Sequence, residues 1–260
     1  MPLQKARNIL DKHQFGTHFA QTALPPWMCP TCRKGQLRRV VEETVMDFDT
    51  AGTLAIKNED WFDYEHSAGV FALRLLCRCG ESVVVSGKTS VDCDWDEERH
   101  RMDYYTVLEP LFFVPPLALI AVEPVAPEQI HRLIRSASEV FWSNGEACLN
   151  RLRCVTEEIL NILNIPSRTE TGGYINLHHR IEKIGTENQR IKDALLAAKH
   201  MGNDASHSDF QVTRGEVLDA FQVVEYCLRQ LYPVDDSVVL EIISRVNANA
   251  GFRTKNRENG

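Results

Sequence analysis

Cys29-Pro-Thr-Cys32 and Cys77-Arg-Cys79-Gly80 form two short cysteine pairs, a spacing that can deliver four thiolates to one tetrahedral metal ion. The first pair, followed by Gly35, has the make-up of a zinc-ribbon knuckle; the second is tighter, with one residue between its sulfurs. Four thiolates leave no coordination position for water, so the expected ion is a structural Zn2+ held by Cys29, Cys32, Cys77 and Cys79. The alternatives are a ribbon that has lost its metal, two unconnected thiol pairs, or a redox CxxC without the surrounding βαβ pattern. The pairs lie 44 residues apart, more than a minimal ribbon needs, which predicts an inserted hairpin or loop around residues 58–64.

A second group with chemical potential is the run Lys199-His-Met-Gly-Asn-Asp-Ala-Ser-His207. Lys199, Asn203 and His207 recur at i, i+4 and i+8, one stripe of a helix that continues through Gly202. Asn150, Arg153 and Glu157 form another polar stripe upstream. Facing each other, the stripes would make either a reactive cluster or a hydrogen-bonded lock between helices. His178 and His179 point about 100° apart on a helix and do not converge on one ligand.

The composition that must hold these groups is 43% hydrophobic and 25% charged, ordinary for a soluble globular chain. A net charge of −7 argues against a general nucleic-acid coat. Charge is uneven: residues 1–45 carry seven Lys/Arg against three Asp/Glu, and residues 46–110 carry six against fourteen. Any phosphate contact would therefore fall near Arg33, Lys34, Arg38 and Arg39, the alternative reading of these charges being a solvated face. The acidic run from Asp92 to Glu98 reads as a solvated turn, and Cys148, Cys154 and Cys227 as core residues. The apolar stretch 111–122 is too short to span a bilayer, and no secretory signal is evident, so the expected location is the cytoplasm, with no membrane partner.

Periodicity changes near residue 126. Residues 37–44, 70–77 and 81–86 have the short Val- and Leu-rich pattern of strands, and the Pro-rich stretch 109–127 reads as a connector. Helical spacing then predicts helices over 127–143, 146–163, 177–184, 188–199, a strongly capped one after Thr213-Arg-Gly-Glu216, and a last one over 238–249.

Phe112-Phe-Val-Pro-Pro-Leu117, Phe141-Trp-Ser-Asn144, Asn150-Arg-Leu-Arg153 with Glu157, the run ending at His207, and Leu218-Asp-Ala-Phe221 together resemble the bacterial domain of unknown function DUF4145. The resemblance covers residues 110–232, and relatives place a cysteine-rich ribbon upstream. It implies a distant branch of the HEPN helical superfamily, whose active members are metal-independent ribonucleases with an Arg shortly before a His, often across a homodimer. His207 matches that histidine. Position 199 is Lys and position 200 is His, so the arginine is absent. If chemistry persists, His207 would remove the 2′-hydroxyl proton, Lys199 would hold the phosphate, Asn203 would orient one of them, and Arg153 and Glu157 would support.

The expected fold is α+β: a small N-terminal β zinc-ribbon-like module over residues 1–126, a HEPN-like antiparallel α-helical bundle over 127–250, and a disordered tail over 251–260. The expected function is that of a zinc-binding, homodimerising binding or regulatory module. Its partner would be nucleic acid, RNA ahead of DNA, or a protein, and family analogy suggests phage defence or toxin-like regulation as the setting. The competing classes are a metal-independent endoribonuclease using His207 and a structural adaptor in a larger complex.

Overall fold

The computed structural model describes residues 12–16, 18–40, 46–204, 212–233 and 237–248. Among them the chain is α+β, with a curled antiparallel half-barrel sheet first and helices after it. The strands are β1 (Phe19–Ala20), β2 (Arg38–Arg39), β3 (Met46–Asp49), β4 (Ala68–Leu76), β5 (Ser82–Asp96) and β6 (Arg101–Val114). Their order is β1-β6-β5-β4-β2, with β3 also paired to β4.

This corrects the expected architecture of a small zinc-ribbon-like module joined to a HEPN-like bundle. The largest unit of the N-terminal half is the β5–β6 hairpin, whose strands are 15 and 14 residues long. The cysteine turns occupy only one end of that sheet. Residues 58–64 form turns and the start of a short 3-10 segment, Tyr64–His66, rather than a hairpin. A short helix, α1 (Ala51–Ile56), precedes them, capped by the Thr50 hydroxyl.

Alternation decides which sheet face is buried. On β4, Phe71, Leu73 and Leu75 point inward, while Val70, Arg74 and Leu76 point outward. Val83 and Val85 continue the inner face on β5, and a bulge at Ser86/Gly87 then shifts the register against β6. A Cβ on Gly87 would collide with the Glu109 carbonyl, so the close approach of β5 and β6 requires glycine there.

After a connector come α2 (Glu128–Val140), α3 (Gly145–Ile162), α4 (Leu177–Glu182), α5 (Gln189–Asp204), α6 (Arg214–Leu231) and α7 (Ser237–Ala248). The sheet's inner face and the helices share one continuous hydrophobic core. Its centre is aromatic: Trp27 lies 5.1 Å from Phe113 of β6, Phe113 4.7 Å from Trp142, and Phe141 6.2 Å from Phe221 of α6. The connector is buried through Leu117, Leu119, Ile120 and Val122, and Glu225 of α6 holds it by accepting from the Ala121 backbone N–H at 3.2 Å. No helix among the described residues is long and apolar enough to cross a membrane.

The sequence signals for helix starts act as physical caps. Asn144 accepts from the Ala147 N–H at 2.8 Å to open α3. At α6 the box is reciprocal: Thr213 Oγ1 accepts from the Glu216 N–H at 3.3 Å, and the Glu216 carboxylate accepts from the Thr213 N–H at 2.8 Å. Backbone and side-chain donors of Thr213 hold the Glu216 carboxyl below its ordinary value. A depressed carboxylate contributes stability above its unfolded pKa and loses it as pH falls through the folded value. Thr213→Ala is expected to destabilise the protein by about 1 kcal/mol near neutral pH. In thermal denaturation that deficit should shrink in acid, where wild type loses the Glu216 half of the box.

Candidate metal centre

Two turns at one end of the sheet bring the cysteines together. The first is a hairpin closed by the Met28–Gln36 bridge. Within it the Cys29 N–H donates to the Gly35 carbonyl at 2.8 Å, and the Arg33 N–H donates to the Cys29 carbonyl at 3.0 Å. Arg33 turns the chain with φ +53°, in the left-handed region. The second turn links β4 to β5: the Cys77 N–H donates to the Glu81 carbonyl at 2.9 Å, and Gly80 takes φ +94°. Pairing of Arg38 on β2 with Leu76 on β4 sets the two turns side by side.

The Sγ atoms of Cys29 and Cys79 are 3.7 Å apart, as are those of Cys32 and Cys77, and all four lie within 4.8 Å of one another. A tetrahedral ion with metal–sulfur bonds of about 2.3 Å would place its sulfurs about 3.8 Å apart, so the quartet has the size that zinc requires. Cys29 and Cys77 are buried, Cys32 is half-buried and Cys79 is exposed.

The electrostatics of the quartet also suit a cation. Backbone N–H groups of Lys34 and Gly35 bring the Cys32 thiol down to about 6. The Cys79 backbone N–H acts in the same direction on Cys77. Burial and the neighbouring sulfurs of Cys79, Cys29 and Cys32 nonetheless push Cys77 up to about 12. Burial raises Cys29 as well. The Cys32 thiolate is thus favoured while Cys29 and Cys77 are held protonated, and a divalent ion at the centre would favour the thiolate form of its ligands. A Cβ on Gly35 would lie 2.5 Å from Cys77 Sγ, so this turn closes on the sulfurs only with glycine. The Thr31 hydroxyl donates to the Glu81 carboxylate and ties the two turns directly.

The helical polar stripes are placed as follows. Arg153 and Glu157 form an ion pair on α3, Nε to Oε1 at 3.5 Å, at a partly exposed position. α5 runs through Gly202, and Lys199 on it is half-buried; Asn203 lies in the same helix, but its side chain and all of His207 are outside the described residues. No hydrogen bond or ion pair joins Lys199 to Arg153 or Glu157 among the described residues. Of the three cysteines expected in the core, Cys148 and Cys227 are buried, whereas Cys154 is exposed on α3. Cys93 belongs to β5 and not to a turn; its thiol faces Glu65 at 3.5 Å. The tail over 251–260 lies outside the described residues.

The structure also gives roles to residues that spacing did not single out. Arg214, hidden inside the capping box, carries a partly buried guanidinium that bonds three backbone carbonyls. His131, Arg135 and Ser138 recur at i, i+4 and i+7 on α2 and line a cleft beside the cysteine turns. That polar stripe on an otherwise amphipathic helix was the available signal.

The helical run from α2 onward has a known counterpart. Residues 135–249 match the model of the domain of unknown function DUF4145. Residues 17–113 match that of a second domain of unknown function, DUF8608. No curated protein and no solved structure matches the chain. The DUF4145 match takes in the Arg153–Glu157 pair, Lys199, Asn203 and His207, and the DUF8608 match takes in all four clustered cysteines and nearly the whole sheet.

Proposed function

We propose that this protein is a zinc-ordered binding module whose cation-rich rim around the cysteine cluster contacts nucleic-acid phosphates, RNA ahead of DNA. The observation that carries the reading is the company the sulfurs keep. Lys34, Arg38 and Arg78 line the same surface depression, of about 500 Å³, as Cys32, Cys77 and Cys79. Among the described residues none of the three has a carboxylate within ion-pair distance. The acids gather at the opposite end of the sheet, where Asp92, Asp94, Asp96, Glu97, Glu98 and Asp103 crowd the tip of the β5–β6 hairpin. Such a polarised charge orients a polyanion toward the rim despite the net negative total.

A single strand suits the rim better than a duplex. Arg38 is directly paired with Leu76 on the outer sheet face, and the adjoining rows expose Val84, Val114 and Phe112. Cations beside an exposed apolar and aromatic sheet face match what unstacked bases and their phosphates need. Binding of labelled single-stranded RNA, followed by fluorescence anisotropy across a salt series, tests this. The triple reversal Lys34→Glu, Arg38→Glu, Arg78→Glu is expected to weaken binding by at least about tenfold and to lower the salt slope by about 2. Failure of the zinc-loaded wild type to bind at low salt, or indifference to the triple reversal, removes the reading.

A further inference from the structure

A cleft of about 690 Å³ opens beside the cysteine turns, in the angle between the sheet, the connector and α2. We propose that it binds a phosphorylated ligand of nucleotide size, with Arg33 and Arg135 as the phosphate-binding pair. One wall is the first cysteine turn with Glu81, and the other is the α2 face carrying His131 and Arg135. Arg33 is held in the left-handed backbone region, and its guanidinium reaches across to the Val122 carbonyl at 3.4 Å. Arg135 is exposed on α2 and has no acidic partner among the described residues. The one carboxylate in the lining, Glu81, is already occupied, accepting from the Thr31 hydroxyl and from the Ser82 N–H at 3.1 Å. Two guanidiniums against this one carboxylate leave the cleft net cationic, with positive charge delivered from two opposite walls.

That disposition selects the ligand. Guanidinium groups on opposing walls, with an imidazole beside one of them, need an anion that presents oxygens in more than one plane, as a tetrahedral phosphoryl group does and a planar carboxylate does not. Much of the remaining lining is apolar: the half-buried Pro115, Pro116 and Ala118 of the connector offer a surface against which a base can pack. The volume lies within the range of small-molecule sites, about 300–1,000 Å³. Pro30 and Thr31 lie between Cys29 and Cys32, and Glu81 follows Cys79 closely, so a metal that fixes the sulfurs also fixes one wall of the cleft. Affinity for the ligand is then coupled to metal occupancy.

The phosphoryl group can come from a free nucleotide or from the 5′ end of a nucleic acid, and calorimetric titration of the full-length zinc-loaded protein separates the two. AMP should bind saturably, and adenosine should bind about tenfold more weakly. Arg135→Glu and Arg33→Glu should each weaken AMP by about tenfold or more. Arg132→Glu, on the same helix but outside the cleft, should leave it unchanged. Chelation of the metal should lower AMP affinity. A 5′-phosphorylated oligonucleotide that outcompetes AMP, and loses that advantage in Arg135→Glu, assigns the phosphate to a nucleic-acid end; AMP binding without such an advantage assigns it to a free nucleotide. The cleft cations are distinct from Lys34, Arg38 and Arg78, so the rim triple reversal should spare AMP binding even if the RNA reading fails. Absence of saturable AMP binding, adenosine affinity equal to that for AMP, or an Arg135→Glu variant of unchanged melting temperature and unchanged AMP affinity overturns the proposal.

Discussion

Cys77→Ser is expected to abolish binding of one zinc ion per chain and to lower the melting temperature by about 10 °C. Cys77 is 2% exposed and anchors the turn between β4 and β5, which pair along the whole of β4, so its loss acts on the core and not only on a surface loop. Zinc sites in isolated small domains contribute apparent free energies of about 10–16 kcal/mol, because nothing else orders those chains. Here the sheet and helices keep a core of their own. The loss is therefore smaller, about 4 kcal/mol, reflecting release of the two turns and a buried thiol left beside its unpaired neighbours. Chelator should reproduce the shift in wild type and add little to Cys77→Ser. Gly35→Ala, whose new Cβ presses on Cys77 Sγ, should retain the fold while weakening zinc by about tenfold or more. Cys154→Ser, at an exposed thiol remote from the cluster in sequence, should change neither quantity. Metal analysis that finds no zinc, together with an unchanged melting temperature for Cys77→Ser, would rule out a structural site.

The cysteine quartet was legible in the sequence because ligand chemistry is local: each pair lies on one turn, and only the meeting of the turns needs the fold. The helices were legible for a similar reason. Ile130, Ile134 and Ala137, or Val217, Phe221, Val224 and Leu228, repeat with the helical period on whichever side is buried. The β5–β6 hairpin was hidden by its own charge. Asp92, Asp94 and Asp96 alternate with Cys93 and Trp95 as a strand should, yet the density of carboxylates suggested a solvated turn. Pro110 concealed β6 in the same way, since a proline inside a strand lacks the N–H for the ladder. It is tolerated because it pairs with Gly87 at the bulge, where the register has already shifted. Of the cleft, only the polar stripe on α2 left a mark in the sequence: Arg33 and Arg135 line one space only after the connector folds beneath α2.

Arg214→Met is expected to destabilise the protein by about 3 kcal/mol, seen as a lower urea midpoint with an unchanged slope. The guanidinium opens α6 and donates to three carbonyls from three parts of the chain. Nη1 reaches Gly16 at 2.8 Å, and Nη2 reaches Pro110 of β6 and Trp142 of the α2–α3 turn, each at 3.0 Å. It also stacks over the Trp142 ring, 5.0 Å from the centroid. Burial lowers the Arg214 pKa, an effect opposed by the field of Glu109, but an arginine starts so high that the group stays charged at any pH the fold survives. Methionine would keep much of the volume and leave three carbonyls without their donor, and that loss dominates the expected change. Lysine would retain the charge but should recover less than half of the stability, because a compact ammonium cannot present a planar fork to several carbonyls or lie flat on an indole. Combining Arg214→Met with Trp142→Phe should give less than the sum of the two single effects, the difference of about 1 kcal/mol reporting their direct stacking. If Arg214→Met instead falls within about 0.5 kcal/mol of wild type, the joint between sheet and helices is carried by the aromatic core alone, and the three carbonyl bonds are incidental to it.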